Sequence, residues 1–269
     1  MNTIAFPRLF DAVFNINTTA FTVFGFPIRW YGIILCSCFL LAYFYCSKRS
    51  KEFGVTEDNI TSLLLCVIPA VIIGARIYYV INRWDYYGTY PEDIIKVWEG
   101  GVALYGGVIG GITAGLIYSK CSKTSFLALA DLAMLGLVMG QFIGRWANFV
   151  NAEAYGVATS LPWGMSINGG EPCHPTFLYE SLWNFCLFWF LHFYSKRRRF
   201  KGEILIMYFG LYGLGRSWIE GLRTDSLYLG STNIRISQLL AVCFFVICTS
   251  LFIYLSVRKN YEKYAFLKL

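Results

Sequence analysis

Seven runs of mostly apolar residues follow one another along this chain of 269 residues and leave only short connections between them. A helix needs about 20 mostly apolar residues to cross the hydrocarbon core of a bilayer. Charged residues make up only 14% of the chain, against about 25% in soluble domains. The sequence therefore predicts an all-α integral membrane protein, a single domain over residues 1–269 with seven transmembrane helices. The predicted spans are residues 30–47, 60–81, 101–118, 126–147, 178–194, 203–220 and 236–256.

Lysine and arginine are concentrated in alternate connections. They crowd the first, third and fifth connections and the C-terminal tail, whereas residues 148–177 contain none. Because basic residues in short loops stay on the cytoplasmic side, we expect the N-terminus outside and the C-terminus in the cytoplasm. Residues 148–177 are then a small extracytoplasmic region. The net charge of +7 comes largely from the cytoplasmic loops, so no nucleic-acid partner is expected.

Three arginines, Arg76, Arg145 and Arg216, lie within predicted spans. A charged side chain there costs about 2.5–3.5 kcal/mol on insertion scales, so it ordinarily faces a bundle interior and a partner. With a helical rise of about 1.5 Å per residue, the predicted orientation puts all three in the outer half of the membrane, level with Tyr31 and Tyr105. The sequence therefore predicts a polar site in one leaflet.

Glycines recur at four-residue spacing in the third and fourth spans, a pattern that allows close helix packing in lipid. We expect this packing to bring Tyr105 close to Arg145. The glycines are Gly106, Gly107, Gly110, Gly111 and Gly115 in the third span, and Gly136, Gly140 and Gly144 in the fourth.

Arg216, Glu220 and Arg223 share one face of the sixth span. Their spacing fits a structural ion pair. It also fits a phosphate-binding site, because one carboxylate leaves two guanidinium groups with uncompensated positive charge.

The stretch GRWANFVNAEAYG, residues 144–156, ends the fourth span with unusual polarity. It fits an elaborate helix C-cap whose Arg145 reaches towards the lipid head groups. It also fits one half of a clamp, shared with Arg216, for a phospholipid head group, which we favour because Arg216 reaches the same level.

This stretch closely resembles the signature of prolipoprotein diacylglyceryl transferases, Gly-Arg-x-(Gly/Ala)-Asn-x-x-Asn-x-Glu-x-x-Gly, and every fixed position is present. Further resemblances follow in the family's order and span nearly the whole chain. They are PIRWYG (27–32), GARIYYVI (74–81), WEGGVALYGGVIGG (98–111), HPTFLYE (174–180) and the run at 212–225.

The resemblance implies a multi-pass enzyme of the bacterial plasma (inner) membrane with its active site facing the outer leaflet. Such enzymes transfer the sn-1,2-diacylglyceryl group of phosphatidylglycerol to the lipobox cysteine thiol of a preprolipoprotein, forming a thioether and releasing glycerol phosphate. No cofactor is implied, and the partners are the two substrates and the lipid bilayer. No Cys/His cluster in the sequence suggests a metal.

The resemblance also assigns candidate site residues. Arg145, Arg216, Tyr105 and Tyr31 are the catalytic candidates, with the two arginines as the phosphate clamp. The candidates for binding phosphatidylglycerol are Arg145, Asn148, Asn151, Glu153, Gly156, Arg216, Glu220, Arg223, Tyr212, Gly106 and Gly107.

Tyr105 departs from the family pattern. Many members have histidine before two glycines where this chain has Tyr105-Gly106-Gly107, and that histidine is the proposed base. A tyrosine, with an ordinary pKa of about 10, is a poor base unless cations lower its pKa. Tyr105 therefore acts as a phenolate or, as we favour, positions the substrate by hydrogen bonding. His174, the only histidine on the predicted outer side, is expected to be structural.

Two other classes of protein fit less well. A transporter of an anionic lipid or solute would need polar groups across the membrane, yet the ionisable residues stop in the outer half, apart from Asp131, and no internal repeat is evident. A structural scaffold would leave the intramembrane arginines unexplained.

Overall fold

The computed structural model describes residues 1–9, 11–224, 226, 228–229, 232 and 234–257. Asp225 of the family run and the basic tail residues Arg258, Lys259, Lys263 and Lys268 lie outside these ranges. The chain is mostly helical, and seven helices of at least 17 residues occur in the described part. They are α1 (Trp30–Arg49), α2 (Glu57–Asn82), α3 (Leu104–Ser122), α4 (Phe126–Asn151), α5 (Thr176–Ser195), α6 (Glu203–Ile219) and α7 (Ile236–Val257).

Each helix overlaps one of the seven apolar runs. Within the described ranges, four helical segments are long and apolar enough to cross a membrane, judged by length and composition alone. These segments are Trp30–Phe53, Glu57–Asn82, Phe126–Asn151 and Ile236–Val257. The chain is thus consistent with a helical membrane protein, and the number of crossings stays a prediction.

The described residues fall into two compact units, one formed by residues 1–46 with 131–257 and the other by residues 47–130. The smaller unit is built on close contact between α2 and α3. A Cβ atom added at Gly106 would lie 2.3 Å from the Gly74 carbonyl oxygen, and one at Gly110 would lie 2.2 Å from that of Ala70. The predicted close packing of α3 is therefore confirmed, with α2 as its partner.

The glycines of α4 face α1 within the larger unit. A Cβ atom at Gly136 would lie 2.8 Å from Cys46 Sγ, and one at Gly144 would lie 3.8 Å from Leu35 Cδ2. The glycines of α3 therefore contact α2 and those of α4 contact α1, and the expected closeness of Tyr105 to Arg145 stays a prediction. A glycine ridge specifies how closely helices approach and carries no information about which helix approaches.

Polar contacts fix α4, α5 and α6 to one another. Ser181 Oγ of α5 donates to the Phe142 carbonyl of α4 at 2.7 Å, and Tyr208 of α6 donates to Gln141 Oε1 at 3.1 Å. The fully buried Asp131 accepts from the amides of Gly202 and Leu205 at 2.8 and 2.9 Å. Asp131 therefore caps the N-terminus of α6, which gives this buried acid a structural role.

Among the described residues of the larger unit, five short strands accompany the helices, and none of them was predicted from the sequence. β1 (Asn2–Phe6) pairs antiparallel with β2 (Ala12–Ile16) and with β5 (Ser166–Ile167), and β3 (Thr19–Val23) pairs with β4 (Phe26–Arg29). Ile4 of β1 is fully buried against Met165 and Phe177. The first residues of the chain thus cover the connection between α4 and α5.

Substituting Gly110 tests the contact between α2 and α3. Gly110→Ala is expected to lower the free energy of unfolding by about 1–3 kcal/mol, the usual penalty for overpacking a tight contact. The Ala70 carbonyl belongs to the backbone of α2 and cannot rotate away from the new methyl group. Gly32→Ala in α1 is the control, since a Cβ there meets nothing within 4 Å. Thermal unfolding of the purified protein in detergent compares them, and equal midpoints for both variants would contradict this packing.

Candidate active site

The carboxylate of Glu180, in the first turns of α5, is the centre of an ion-pair cluster. Glu180 is 3% exposed. Its Oε1 accepts from Arg216 Nη1 at 2.7 Å and from Arg223 Nη1 at 2.9 Å. Its Oε2 forms an ion pair with Arg145 Nη2, although the geometry falls short of a hydrogen bond. One buried acid therefore holds three guanidinium groups.

A second acid, Glu220, completes the cluster. Glu220 is 2% exposed, its Oε2 pairs with Arg216 Nη2, and its Oε1 accepts from Ser226 at 2.8 Å. Arg235 donates to the Glu220 backbone carbonyl. The structural ion pair weighed for Arg216 and Glu220 is therefore present.

The cluster retains positive charge. Three arginines face two glutamates, which leaves one net positive charge among these described groups. The side chains of Arg145, Arg216 and Arg223 are 22%, 17% and 10% exposed. In the described part of the chain, Arg145 Nε and Nη1 donate no hydrogen bond. Arg145 is thus the most accessible donor for an anion.

The signature stretch after Arg145 ends α4 in a Schellman-type cap. The amide of Glu153 donates to the Asn148 carbonyl at 3.0 Å, and the amide of Ala152 donates to that of Phe149 at 3.1 Å. Ala152 has φ +54°, the left-handed conformation that such caps require. Glu153 Oε1 accepts from Asn148 Nδ2 at 2.9 Å and from Asn151 Nδ2 at 3.5 Å. These three polar residues therefore fix the helix end, so the predicted helix C-cap is present, whereas Arg145 pairs with the buried Glu180.

Gly156 allows the end of the signature to touch the segment carrying Arg223. The two residues form an antiparallel bridge, and the Val157 amide donates to the Leu222 carbonyl at 2.8 Å. A Cβ at Gly156 would lie 2.8 Å from both the Leu222 carbonyl and His174 Cβ. A side chain here would push Arg223 away from the cluster.

His174 has structural contacts. Its backbone carbonyl accepts from the Gly156 amide at 2.9 Å, and its Nδ1 lies 3.1 Å from the Tyr179 hydroxyl. Trp163 Nε1 donates to the same hydroxyl at 2.7 Å. This network holds the connection between α4 and α5 in place.

Two of the predicted tyrosines belong to the same unit as the cluster. Tyr212 stacks on Tyr208, with ring centroids 5.5 Å apart, and lines a cleft with Glu180 and Arg216. Tyr31, 37% exposed, lies one turn before the Leu35 that meets Gly144. It therefore lies towards the end of α1 that is nearer Arg145.

The remaining candidates, Tyr105, Gly106 and Gly107, lie at the start of α3 in the other unit. Tyr105 is 48% exposed. Contact with α2 is sufficient reason for glycine at position 106, so a lipid contact there stays a prediction. The pairing of Tyr105 with Arg145 also stays a prediction.

Arg76 of α2 binds the backbone of the loop that precedes α3. Its guanidinium group donates to the carbonyl oxygens of Asp93, Ile94, Gly100 and Gly101 at 2.6 to 2.8 Å. Its charge is thus used to hold loop backbone, which distinguishes it from Arg145.

The loop between α2 and α3 also contains titratable groups that hydrogen-bond one another. The hydrogen bond from Tyr86 to Asp93 raises the pKa of Tyr86 to about 12. Hydrogen bonds from Lys96 and Tyr86 lower the pKa of Asp93. In the loop between α4 and α5, burial raises the pKa of the Cys173 thiol. None of these groups is therefore suited to accept a proton at neutral pH.

Among the described residues, no three His, Cys, Asp or Glu side chains are grouped to hold a metal ion.

Glu180 is the central residue that the sequence analysis missed. It is the last residue of HPTFLYE and lies within the predicted span at 178–194. An ionisable group within a span carries a high energetic cost, and this cost applies to the Glu180 carboxylate as it does to the buried arginines.

Replacing Glu180 by glutamine tests its role in the cluster. Glu180→Gln keeps the shape but leaves three arginines around a neutral amide, and breaking a buried ion pair in this way costs about 3–5 kcal/mol. Ser181→Ala, which removes one hydrogen bond from the next residue, should cost about 1 kcal/mol. Thermal unfolding in detergent measures both, and a Glu180→Gln midpoint at or above that of Ser181→Ala would contradict the assignment.

The family model and the known proteins that match this chain all carry the name of one family. Residues 18–254 match the model of the family described as prolipoprotein diacylglyceryl transferase. The chain is 44% identical to the phosphatidylglycerol–prolipoprotein diacylglyceryl transferase of Clostridioides difficile, over 84% of this chain and 90% of that protein. It is 42% identical to the enzyme of that name from Finegoldia magna, over 86% and 92%. The Bacillus velezensis enzyme is 39% identical over 92% and 95%.

Proposed function

The chain belongs to the prolipoprotein diacylglyceryl transferase family, and we propose that the arginine cluster around Glu180 binds the lipid phosphate during transfer. The enzyme transfers a diacylglyceryl group from phosphatidylglycerol to prolipoprotein. The observation that carries the proposal is the surplus positive charge among the described groups of a largely buried cluster. Its most accessible member, Arg145, has donors that no described residue uses. An anionic phosphodiester supplies the missing negative charge.

The chemistry explains why such a cluster assists the reaction. The sulfur of the acceptor cysteine forms a bond to the glycerol carbon next to the phosphate, and the carbon–oxygen bond to the phosphate breaks. The departing oxygen takes the electron pair, so glycerol phosphate leaves with more negative charge than the phosphodiester had. Arg145 and Arg216, already held by Glu180 and Glu220, stabilise that charge without rearranging. The product is a thioether on the cysteine.

The thiol must also lose its proton, since the thiolate is the nucleophile. We assign Tyr105 to substrate positioning by hydrogen bonding, with deprotonation elsewhere. Tyr31 and Tyr212 are further contacts for the substrate. Asn148, Asn151 and Glu153 assist lipid binding indirectly. They hold the helix end from which Arg145 projects.

The chain is a multi-pass membrane protein, and we assign all seven helices to the membrane, with the N-terminus outside and the C-terminus in the cytoplasm. The distribution of basic residues supports this topology. It puts the site at the outer leaflet of the bacterial inner membrane, where the connection between α4 and α5 covers it. A transporter, the alternative function, is disfavoured by family membership and by the capping role of Asp131.

Transfer by Arg145 variants tests the clamp. Purified protein is mixed with phosphatidylglycerol and a lipobox peptide, and the mass of the peptide is followed. Arg145→Ala is expected to lower transfer about 10²–10³-fold, as for the loss of a transition-state donor, while still inserting into the membrane. Arg8→Ala, at an exposed arginine that donates to the Ser160 carbonyl, is the control. Transfer by Arg145→Ala at the control's rate would exclude the clamp.

Tyr105→Phe tests the assignment of the base. If Tyr105 positions substrate, the variant should lose about fivefold in transfer rate, the effect of one hydrogen bond, and keep the pH profile of the wild type. Tyr118→Phe is the matched control, because Tyr118 lies on the same helix and accepts from Asn59 at 3.1 Å. A loss of several hundredfold with a changed pH profile would instead identify the Tyr105 hydroxyl as the base.

Reporter fusions test the topology. A phosphatase that is active only outside the cytoplasm should be active when fused after Gly88, between α2 and α3. It should be inactive when fused after Lys201, between α5 and α6. The opposite pattern would overturn the proposed orientation.

A further inference from the structure

The hairpin of β3 and β4 has one face that is entirely apolar. Within the described ranges these two strands form a sheet of their own. Residues that lie opposite each other in an antiparallel pair share a face, and successive residues alternate between the faces. The apolar face carries two such pairs, which are Phe21 with Ile28 and Val23 with Phe26. Thr22 and Pro27 form the pair on the opposite face.

The apolar side chains of this hairpin are largely exposed. Phe21 is 55% exposed and Phe26 is 74% exposed. Phe24, in the turn between the strands, is 98% exposed. Apolar side chains that are exposed together on one surface mark a site of contact with a protein or a membrane. The hairpin is therefore a docking surface.

The turn itself contains a phenylalanine where a small polar residue is usual. Phe24 and Gly25 have φ of +48° and +83°. Two-residue hairpin turns with positive φ at both positions favour Asn-Gly or Asp-Gly, and a bulky residue rarely adopts this conformation. Neither backbone preference nor contact with water explains Phe24. Apolar surroundings at the turn explain it.

The hairpin leads directly into an apolar helix. β4 ends at Arg29 and α1 begins at Trp30, and the Trp30 amide donates to the Thr18 carbonyl at 3.0 Å. This bond ties both ends of the hairpin to the start of α1, which belongs to a segment long and apolar enough to cross a membrane. At about 3.3 Å per residue, Phe26 lies within about 13 Å of Trp30. The apolar face therefore lies close to the point where α1 enters the membrane.

The residues around the hairpin suit a lipid surface. Residues 12–28 contain no Asp, Glu, Lys or Arg, whereas the rim of a protein interface is ordinarily polar. Trp30 and Tyr31 are 44% and 37% exposed, and such aromatic residues are typical of the membrane–water interface. Arg29, at the base of the hairpin, is exposed. Its long side chain can reach lipid phosphates while its stem stays in apolar surroundings.

We propose that the β3–β4 hairpin lies on the bilayer beside the start of α1, with its apolar face and Phe24 buried among the lipids. The occupant of this surface is the bilayer itself, so the inference goes beyond the transfer reaction and does not depend on the phosphate clamp. Burial of one phenylalanine favours the lipid-bound state about 10–100-fold. The hairpin thereby holds the N-terminal sheet at the membrane surface, because Asn17 joins β2 to β3 and its Oδ1 accepts from the Thr19 amide at 3.0 Å.

Photo-crosslinking from the two faces of the hairpin tests the inference. The photoreactive amino acid benzoylphenylalanine replaces Phe26 on the apolar face or, as the matched control, Thr22 on the opposite face. Both positions are exposed, so neither replacement disturbs the core. The whole chain is reconstituted in vesicles of phosphatidylcholine and irradiated, and the intact protein is weighed by mass spectrometry.

The probe at position 26 is expected to gain the mass of one phosphatidylcholine about tenfold more often than the probe at position 22, the lower limit for burying one phenylalanine. Adding Phe24→Ser should lower the yield at position 26 by a similar factor, because it removes the apolar side chain at the turn. Adding Thr22→Ser, on the face turned to water, should leave that yield unchanged.

Equal lipid adducts from the two positions, or no lipid adduct at position 26, would refute docking on the bilayer. Crosslinking of position 26 to a second copy of the chain, or to an added lipobox peptide in place of lipid, would also refute it and identify a protein partner. The vesicles contain no phosphatidylglycerol, and Arg145→Ala is assayed separately. Failure of the hairpin inference and failure of the clamp are therefore distinguishable.

Discussion

The burial of one carboxylate, that of Glu180, is the constraint on which the rest of the site depends. Removing this charge from water is costly, and only well-placed counter-charges offset the cost. The counter-charges come from three segments: Arg145 at the end of α4, Arg216 late in α6, and Arg223 after α6. Satisfying one acid therefore fixes three parts of the chain relative to one another.

The cluster is poorly explained by stability alone. Replacing buried ion pairs by apolar groups is often neutral or stabilising, and among the described residues this cluster also has one more cation than anion. Arg145 and Arg216 have the most exposed side chains of the three arginines, so the surplus positive charge is most accessible there. A reaction that develops negative charge on a departing phosphate gains most from cations already held in place, because no group must reorganise as the charge appears. Glu180 and Glu220 supply that restraint, and in the function that we propose the remaining charge is left for the substrate.

The helix ends around the cluster are secured by backbone contacts. Backbone groups without water must find partners within the protein. Asp131 supplies them at the start of α6, and the Schellman-type cap with Glu153 supplies them at the end of α4. Gly156 then lets the loop contact the segment of Arg223. The polar residues of the signature thus act largely by holding Arg145 and Arg223 where Glu180 can reach them.

The sequence by itself determined the helices and much of the chemistry. Apolar runs of this length can satisfy their backbone only as helices, and fixed four-residue spacing puts Arg216 and Glu220 on one face. The signature and its companion motifs indicated the family. Tertiary structure alone decided the partners. Glu180 became the centre because the start of α5 meets α4 and α6, and helical periodicity does not specify which helix a polar face meets. For the same reason the glycines of α3 contact α2 and those of α4 contact α1. The pairing of β1 with β5, which is distant in sequence, likewise depends on the tertiary structure.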